Sequence, residues 1–176
     1  MIVADRAAVI GLGLIGGSIA RELASRGVHV RGFDAQPHEL HAATRAGVVH
    51  EALDASLSGV AGAELIVIAV PVDAAVDVLA RVAANAADAT LITDVGSTKA
   101  RIVDAATTLG VGHAFVGSHP IAGDHRSGSK PSGFGNHRAS RCTIHWLHTS
   151  CEPGGMRTPR SSYGSVTSRP VAHAGG

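Results

Sequence analysis

Three glycines near the start of the chain have a spacing that suits the binding of a pyrophosphate group. In the stretch "IGLGLIGGSIA", Gly11, Gly13 and Gly16 follow the pattern G-x-G-x-x-G. In such a pattern the first glycine permits a tight turn, the second lets the backbone approach the phosphates, and the third lets a helix pack closely. Leu14 and Ile15, at the start of the predicted helix, are expected to bind the cofactor with these glycines. The alternative is a small-residue turn in an alanine-rich chain, but the strand-like run before the glycines and the helix-like run after them favour dinucleotide binding.

An acidic residue follows the glycines at the distance expected for a ribose-binding carboxylate. Asp34 lies 18 residues after Gly16, at the end of a second strand-like run. A carboxylate there accepts hydrogen bonds from both ribose hydroxyl groups and repels a 2′-phosphate, so the sequence predicts NAD rather than NADP. Arg31 and His38 are close in sequence and would weaken this preference if they reached a 2′-phosphate. In the alternative interpretation, Asp34 only caps a turn.

The ends of two later strand-like runs are expected to complete the cofactor site. The first run ends in "AVPV", which contains Val70 and Pro71, and the next in "DVGSTK", which contains Ser97. Parallel strands place their carboxyl ends at one edge of a sheet, where ligands bind. Pro71 is also a natural strand terminator, and Ser97 is also a plausible helix cap, a role that is compatible with cofactor binding.

One histidine has a position suited to proton transfer. His119 ends a strand-like run in "FVGSHPIAG", on the edge of the sheet expected to bind the cofactor. An imidazole is an effective proton acceptor at neutral pH. A solvated loop histidine is the alternative, but the flanking proline and glycines favour a catalytic role for His119.

Apolar runs and punctuating residues predict how these residues are brought together. Strand-like runs occupy residues 7–11, 28–34, 63–71, 90–96 and 113–120. Helical spacing of apolar residues predicts helices over residues 14–26, 37–47, 72–86 and 97–110. The regular alternation of strand and helix indicates an α/β fold of the Rossmann type, which is a doubly wound parallel sheet.

The overall composition disfavours several other classes of protein. The 176 residues carry a formal net charge of +1, which gives no field to attract nucleic acid or an anionic membrane. No apolar run approaches the roughly 18 residues of a membrane-spanning helix, and the N-terminus does not resemble a secretory signal. Cys142 and Cys151 have neither the number nor the spacing of a disulfide framework or metal site. We therefore expect a cytoplasmic protein with a small-molecule substrate and no metal.

Residues 129–176 differ in composition from residues 1–128. The first 128 residues have 9 Lys and Arg against 13 Asp and Glu, whereas the rest have 6 against 1. The later part lacks a strand or helix period and is rich in turn formers, which predicts an irregular, disordered tail after a single domain. Its composition resembles GC-rich coding sequence read in the wrong frame. A genuine divergent extension is the alternative, and sequencing the gene around codon 128 would separate the two.

Four motifs together resemble one family of dehydrogenases. The segments "GLGLIGGS", "AVPV", "DVGSTK" and "FVGSHPIAGDHRSG" are similar to those of the prephenate dehydrogenase family, including its arogenate-specific relatives, over about residues 7–128. The resemblance implies NAD-dependent oxidative decarboxylation of prephenate to 4-hydroxyphenylpyruvate in tyrosine biosynthesis. It also implies that His119 accepts the proton of the substrate hydroxyl group and that Ser97 hydrogen-bonds the imidazole and that hydroxyl group. A non-catalytic NAD-binding module and another Rossmann-type small-acid dehydrogenase are the alternatives.

The chain departs from the family pattern at two places. Asp124 and His125 stand where members usually have Thr or Ser and then Glu, at positions associated with the substrate side of the site. After Ser129, nothing resembles the helical domain that in the family supplies the dimer contact and an arginine for the substrate carboxylate. We therefore expect retained NAD binding, weak or no dehydrogenase activity, and no dimerisation of the family's kind.

Overall fold

The computed structural model describes residues 4–88, 90–121 and 143–146, which form an α/β fold. Its strands are β1 (Arg6–Ile10), β2 (His29–Phe33), β3 (Glu51–Ala52), β4 (Leu65–Ile68), β5 (Leu91–Asp94), β6 (Phe115–Ile121) and β7 (Thr143–Trp146). Its α-helices are α1 (Leu14–Ser25), α2 (Pro37–Arg45), α3 (Val72–Ala83) and α4 (Ala100–Thr108), and a short 3-10 helix covers Ser58–Val60.

The strands lie in one sheet in the order β3-β2-β1-β4-β5-β6-β7. The strands β1 to β6 pair in parallel, and β7 pairs antiparallel with β6. Successive strands are added outward from β1 in one direction up to β3 and in the other direction from β4 onward. An open sheet of this kind binds ligands where the strand order reverses, here between β1 and β4, beyond the carboxyl ends of the strands. The predicted Rossmann-type sheet is confirmed for these strands.

Helices cover both faces of the sheet. On one face, α1 and α2 pack against the strands through buried residues that include Ile19 and Ala43. On the other face, α3 and α4 do so through residues that include Leu79 and Ile102. Burying one large aliphatic side chain contributes about 1.5–3 kcal/mol, so these two layers together hold the strand ends firmly in place.

The fourth helix begins three residues later than the sequence predicts. It starts at Ala100 rather than Ser97, and the residue before it, Lys99, makes no side-chain cap bond. Ser97 therefore does not cap this helix. The backbone of Gly96 is bonded instead to the side chains of Asp94 and Lys99, which keeps the preceding segment out of the helix.

Three short elements are not predicted by the sequence. Strand β3 has two residues, both exposed, and the 3-10 helix has three, so neither gives a periodic apolar pattern. The sequence predicts no strand after residue 129, but the described residues 143–146 form strand β7, so the prediction of an irregular tail is wrong for these four residues. The remaining residues of the predicted tail, and the predicted boundary at residue 128, lie outside the described residues.

Candidate functional site

Gly11 forms the turn between β1 and α1. Its φ angle of +92° lies in the left-handed region that L side chains rarely adopt. A Cβ atom at this position would overlap the backbone carbonyl oxygen of Ala69, which directly follows β4. The Gly11 N–H group donates a hydrogen bond of 2.8 Å to the Phe33 carbonyl oxygen. Gly11 therefore lets the turn fit between the ends of β2 and β4.

The other two glycines of the pattern have opposite surroundings. A Cβ atom on Gly16 would overlap the Gly11 carbonyl oxygen and lie 2.9 Å from the Ala69 Cβ atom, so Gly16 lets α1 pack against the turn. A Cβ atom on Gly13 would meet no described atom within 4 Å. Gly13 thus leaves open space directly beside the start of α1, where a phosphate group could approach the backbone.

The N-terminus of α1 faces this open space without a side-chain cap. Gly13 is its N-cap residue, and within the described part of the chain the helix has no side-chain cap bond. The first N–H groups of an α-helix have no partner within the helix, and they carry the positive end of its dipole. Leu14 is 55% exposed beside them, and Ile15 is half-buried. This arrangement suits the binding of an anionic group.

Asp34 fastens the end of β2 to the glycine turn. Its Oδ2 atom accepts a hydrogen bond of 2.5 Å from the Leu12 N–H group. Its Oδ1 atom accepts one of 2.8 Å from the Gln36 N–H group, so Asp34 does cap a turn, as the alternative interpretation holds. A carboxylate has about four acceptor sites in all, and two bonds leave capacity for ribose hydroxyl groups. Turn capping and ribose binding are therefore compatible at this residue.

Arg31 and His38, the two basic residues close to Asp34 in sequence, each lie next to a glutamate. The Arg31 guanidinium donates to the Glu51 carboxylate at 3.0 Å and to the carbonyl oxygens of Gly59 and Ala61 at 2.7 and 3.0 Å. These contacts hold Arg31 against β3 and the 3-10 helix. The side chain of His38 is 74% exposed and lies 3.6 Å from Glu39.

The end of β4 lies beside the glycine turn, as predicted. Val70 is half-buried, and its Cγ1 atom lies 3.2 Å from the place a Cβ atom on Gly11 would take. Pro71 is exposed and is the N-cap residue of α3. Both predicted residues therefore lie at the carboxyl edge of the sheet, next to the point where the strand order reverses.

A buried ion pair lies at the end of β5. The Asp94 side chain is 2% exposed, and its Oδ2 atom accepts hydrogen bonds from Lys99 Nζ at 2.6 Å and from the Gly96 N–H group at 2.9 Å. Lys99 Nζ also donates to the Gly96 carbonyl oxygen at 2.7 Å. This pair is not among the residues that the sequence predicts for the site, where "DVGSTK" indicates only Ser97. The available signal is an acid that ends a buried aliphatic strand with a lysine five residues later.

Ser97 lies in the segment that follows β5, whereas His119 lies within β6, two residues before the end of that strand at Ile121. Asp94 of β5 pairs in register with Gly117 of β6, so Ser97 is three residues and His119 two residues past the same level of the sheet. Both are exposed. Within the described part of the chain, no hydrogen bond joins them. Ser118 between them is buried and donates a bond of 2.6 Å to the Asp94 carbonyl oxygen.

The described residues can be searched for a metal site and for a membrane-spanning helix. Among residues 4–88, 90–121 and 143–146, no cluster of three or more His, Cys, Asp or Glu side chains could hold a metal ion. None of the helices in the same ranges is long and apolar enough to cross a membrane. Asp124, His125, Cys142 and Cys151 lie outside the described residues.

The fold and the site define a class of protein. A Rossmann-type sheet with an uncapped, glycine-lined helix N-terminus after β1 and an acid after β2 is a nucleotide-binding domain of the dinucleotide type. Residues 19–136 match the family described as "Prephenate dehydrogenase, nucleotide-binding domain". The chain therefore belongs to the prephenate dehydrogenase family and contains its N-terminal nucleotide-binding domain.

Individual relatives agree with this assignment. The chain is 41% identical over 128 residues to a prephenate dehydrogenase of Bacillus subtilis (strain 168), an alignment that covers 70% of the chain and 34% of the relative. It is 31% identical to a Synechocystis arogenate dehydrogenase structure, with a TM-score of 0.62 over 69% of the chain and 42% of the neighbour. A prephenate dehydrogenase structure from A. aeolicus has a TM-score of 0.63 at 24% identity, covering 71% and 44%. The chain spans about a third of the length of the curated relatives it matches.

Proposed function

We propose that this chain is the NAD-binding part of an enzyme that oxidatively decarboxylates prephenate. The observation that supports the proposal is that three features lie toward one edge of the sheet. They are the open glycine turn, the Asp34 carboxylate, and the neighbouring chain segments after β5 and along β6 that contain Ser97 and His119. The A. aeolicus neighbour is described in complex with hydroxyphenyl propionate and NAD+, which agrees with a cofactor and a substrate-like acid meeting on this kind of domain.

The residues at the turn fit the cofactor that the family implies. The open space at Gly13 leaves room for a pyrophosphate, which the free amides at the start of α1 would bind. Asp34 would accept hydrogen bonds from the adenosine ribose and exclude a 2′-phosphate by charge repulsion. Val70, Pro71 and Ser97 would lie along the nicotinamide half, beyond the ends of β4 and β5. This assignment selects NAD over NADP.

The proposed reaction needs one proton acceptor and one orienting group from the chain. Bound NAD would supply the acceptor for the hydride that leaves the hydroxyl-bearing ring carbon of prephenate. His119 would take the proton of that hydroxyl group as the carbon–oxygen double bond begins to form. Ser97 would orient the imidazole and the hydroxyl group. Loss of the ring carboxylate as carbon dioxide then gives the aromatic ring of 4-hydroxyphenylpyruvate, so the chain need not supply a second base.

A substrate panel tests this proposal against its alternatives. The chain is mixed with NAD and, in turn, prephenate, arogenate and unrelated 2-hydroxy and 3-hydroxy acids, and NADH formation is followed by absorbance. Turnover that depends on prephenate or arogenate supports the proposal. Turnover with another acid alone would favour a different small-acid dehydrogenase.

The non-catalytic alternative rests on a specific observation, the length of the match. Since the chain spans about a third of its curated relatives, groups outside the matched part would contribute to their substrate sites. NAD binding without turnover on any acid of the panel would favour a cofactor-binding module. We also propose a cytoplasmic location, since the family's substrates are small soluble metabolites.

A further inference from the structure

The buried ion pair at the end of β5 closes a small ring of contacts around the segment that bears Ser97. The Asp94 carboxylate bonds the Gly96 N–H group and the Lys99 ammonium group, and that ammonium group bonds the Gly96 carbonyl oxygen. Asp94 and Lys99, at the two ends of the segment 94–99, are thus bonded to each other. Both the N–H group and the carbonyl oxygen of Gly96 are bonded by these two side chains. Ser97 lies inside this ring of contacts, and its own side chain remains exposed.

The ring is also tied to β6, the strand that bears His119. The Asp94 carbonyl oxygen accepts the hydroxyl group of buried Ser118 at 2.6 Å. The Lys99 side chain crosses β6 at Gly117, where an added Cβ atom would lie 3.2 Å from Lys99 Cδ and 3.7 Å from Asp94 Oδ1. Gly117 therefore leaves the room that the lysine needs to reach Asp94 over the strand.

Stabilisation of the fold does not by itself explain the buried Asp94–Lys99 ion pair. Placing a carboxylate that is 2% exposed next to a lysine requires desolvation of both charges, and such pairs often stabilise a fold no better than apolar residues would. Among the described residues, Asp94 Oδ1 has no hydrogen-bond partner at all. Within the described residues, the carboxylate therefore makes its hydrogen bonds through Oδ2 alone, with the Gly96 N–H group and the Lys99 ammonium group.

We propose that Asp94 and Lys99 are positioning residues that fix the Ser97 segment against the end of β6 that carries His119. This inference rests on the proposed function, because it takes Ser97 and His119 as the residues whose relative position matters. Asp94 and Lys99 would maintain that position. Neither Asp94 nor Lys99 needs to contact the substrate for this role.

The test compares two matched substitutions in the full 176-residue chain. Lys99→Met removes the charge and nearly keeps the length of the side chain. Arg26→Met, the control, removes the charge of an exposed ion pair with Glu22 at the far end of α1. Amide hydrogen exchange of residues 95–99 is measured without cofactor, and NADH affinity is measured by fluorescence. Lys99→Arg, which retains the charge, is the conservative variant that should restore both readouts.

We expect Lys99→Met to accelerate exchange in residues 95–99 by about tenfold or more, while the core of β1 and β4 keeps its protection. We expect NADH affinity to fall about threefold to tenfold, Lys99→Arg to return both values to within about twofold of the wild type, and Arg26→Met to change neither. Unchanged exchange in Lys99→Met, or equal acceleration throughout the chain, would overturn the positioning role. A folded wild type that binds no NADH would overturn the proposed function instead, and the exchange data would still decide the role of the pair.

Discussion

At the scale of single residues, Asp34 connects the glycine turn with the choice of cofactor. Its carboxylate holds the Leu12 amide, and it is the group proposed to exclude a 2′-phosphate. We expect Asp34→Ala to reduce the preference for NAD over NADP by about tenfold or more, because hydrogen bonds to a charged group contribute about 1.5–3 kcal/mol. Calorimetric titration with both cofactors measures the preference. Asp104→Ala, at an exposed carboxylate on α4, should leave it unchanged.

The glycines of the turn allow stability and binding to be separated. Gly13→Ala should cost less than about 0.5 kcal/mol of stability, since its Cβ atom meets open space, yet it should weaken NAD binding by about tenfold or more by blocking the phosphate. Gly16→Ala should cost about 1–3 kcal/mol or more, since its Cβ atom meets the Gly11 carbonyl oxygen. Urea unfolding and NAD titration of both variants give the comparison. A Gly13→Ala protein with wild-type NAD affinity would show that the phosphates lie elsewhere.

His119 is predicted to act on the substrate rather than on the cofactor, whereas Ser97 is predicted to orient the reacting groups and also to lie beside the nicotinamide. General acid–base catalysis contributes about 10²–10⁴-fold, so His119→Asn should remove any prephenate-dependent turnover while leaving NAD affinity nearly unchanged. Ser97→Ala should reduce turnover less, because an orienting group does not itself take the proton. Steady-state kinetics and NAD titration of the two variants check this. An equal loss of NAD binding in His119→Asn would make that histidine a cofactor-side or structural residue.

At the scale of elements, most helices and strands follow from local sequence signals, and the exceptions have identifiable causes. Aliphatic runs that end in glycine or proline predict β1 and β4, and helical spacing predicts α1 and α3. The predicted start of α4 at Ser97 is three residues too early. The Asp94 side chain of β5 bonds the Gly96 backbone, which keeps residues 96–99 out of the helix. Strand β3 is too short and too exposed to give a pattern.

The turn that follows β3 depends on the Asp54 carboxylate. The hydroxyl and N–H groups of Ser56 donate to Asp54 Oδ1 at 2.5 and 2.8 Å. The Ser56 hydroxyl bond, followed by the backbone bond, lowers the pKa of Asp54 below its ordinary value of 3.8. The turn leads to Leu57, a fully buried residue whose φ angle of 57° lies in the left-handed region. Asp54 therefore supports a backbone conformation that places a core side chain.

The lowered pKa of Asp54 gives a pH dependence of definite sign. A carboxyl group whose pKa falls on folding stabilises the fold fully above its ordinary value of 3.8, and this contribution is lost as the pH drops through the lowered pKa. We expect Asp54→Asn to lower the Tm by a constant amount between about pH 5 and pH 7, and the difference to shrink below about pH 4. Thermal unfolding across this range measures it. A difference that grows on acidification would contradict the assigned sign.

At the scale of the whole molecule, the sequence predicts the sheet that brings the candidate site residues toward one edge, but it does not predict the side-chain contacts beneath them. The glycine turn, Asp34, and the ends of β4, β5 and β6 all converge on one edge because the strands are parallel, and parallel pairing follows from the alternation of elements. The coupling of Lys99 to Asp94 across Gly117 depends on side-chain paths between two strands. No periodic pattern encodes those paths, so the sequence offers only the weak signal of an acid at a strand end with a lysine five residues later.

The division of the chain near residue 128 stays a prediction, and the family match runs past it to residue 136. If the division is correct, brief digestion with a nonspecific protease should leave a resistant core of about residues 1–128, with cuts clustered after Gly128. Mass spectrometry of the fragments reads the cut sites. A full-length chain that resists digestion as a unit would contradict the division.

Cofactor binding is the most direct test of the proposed function, because the roles of the glycine turn, Asp34, Ser97 and His119 all depend on NAD lying along the carboxyl edge of the sheet. The decisive measurement is a calorimetric titration of the folded wild-type chain with NAD and, separately, with NADP. The account predicts one binding site per chain and an NAD affinity at least about tenfold above that for NADP. Tighter binding of NADP, or no binding of either cofactor to a chain shown to be folded, would contradict it.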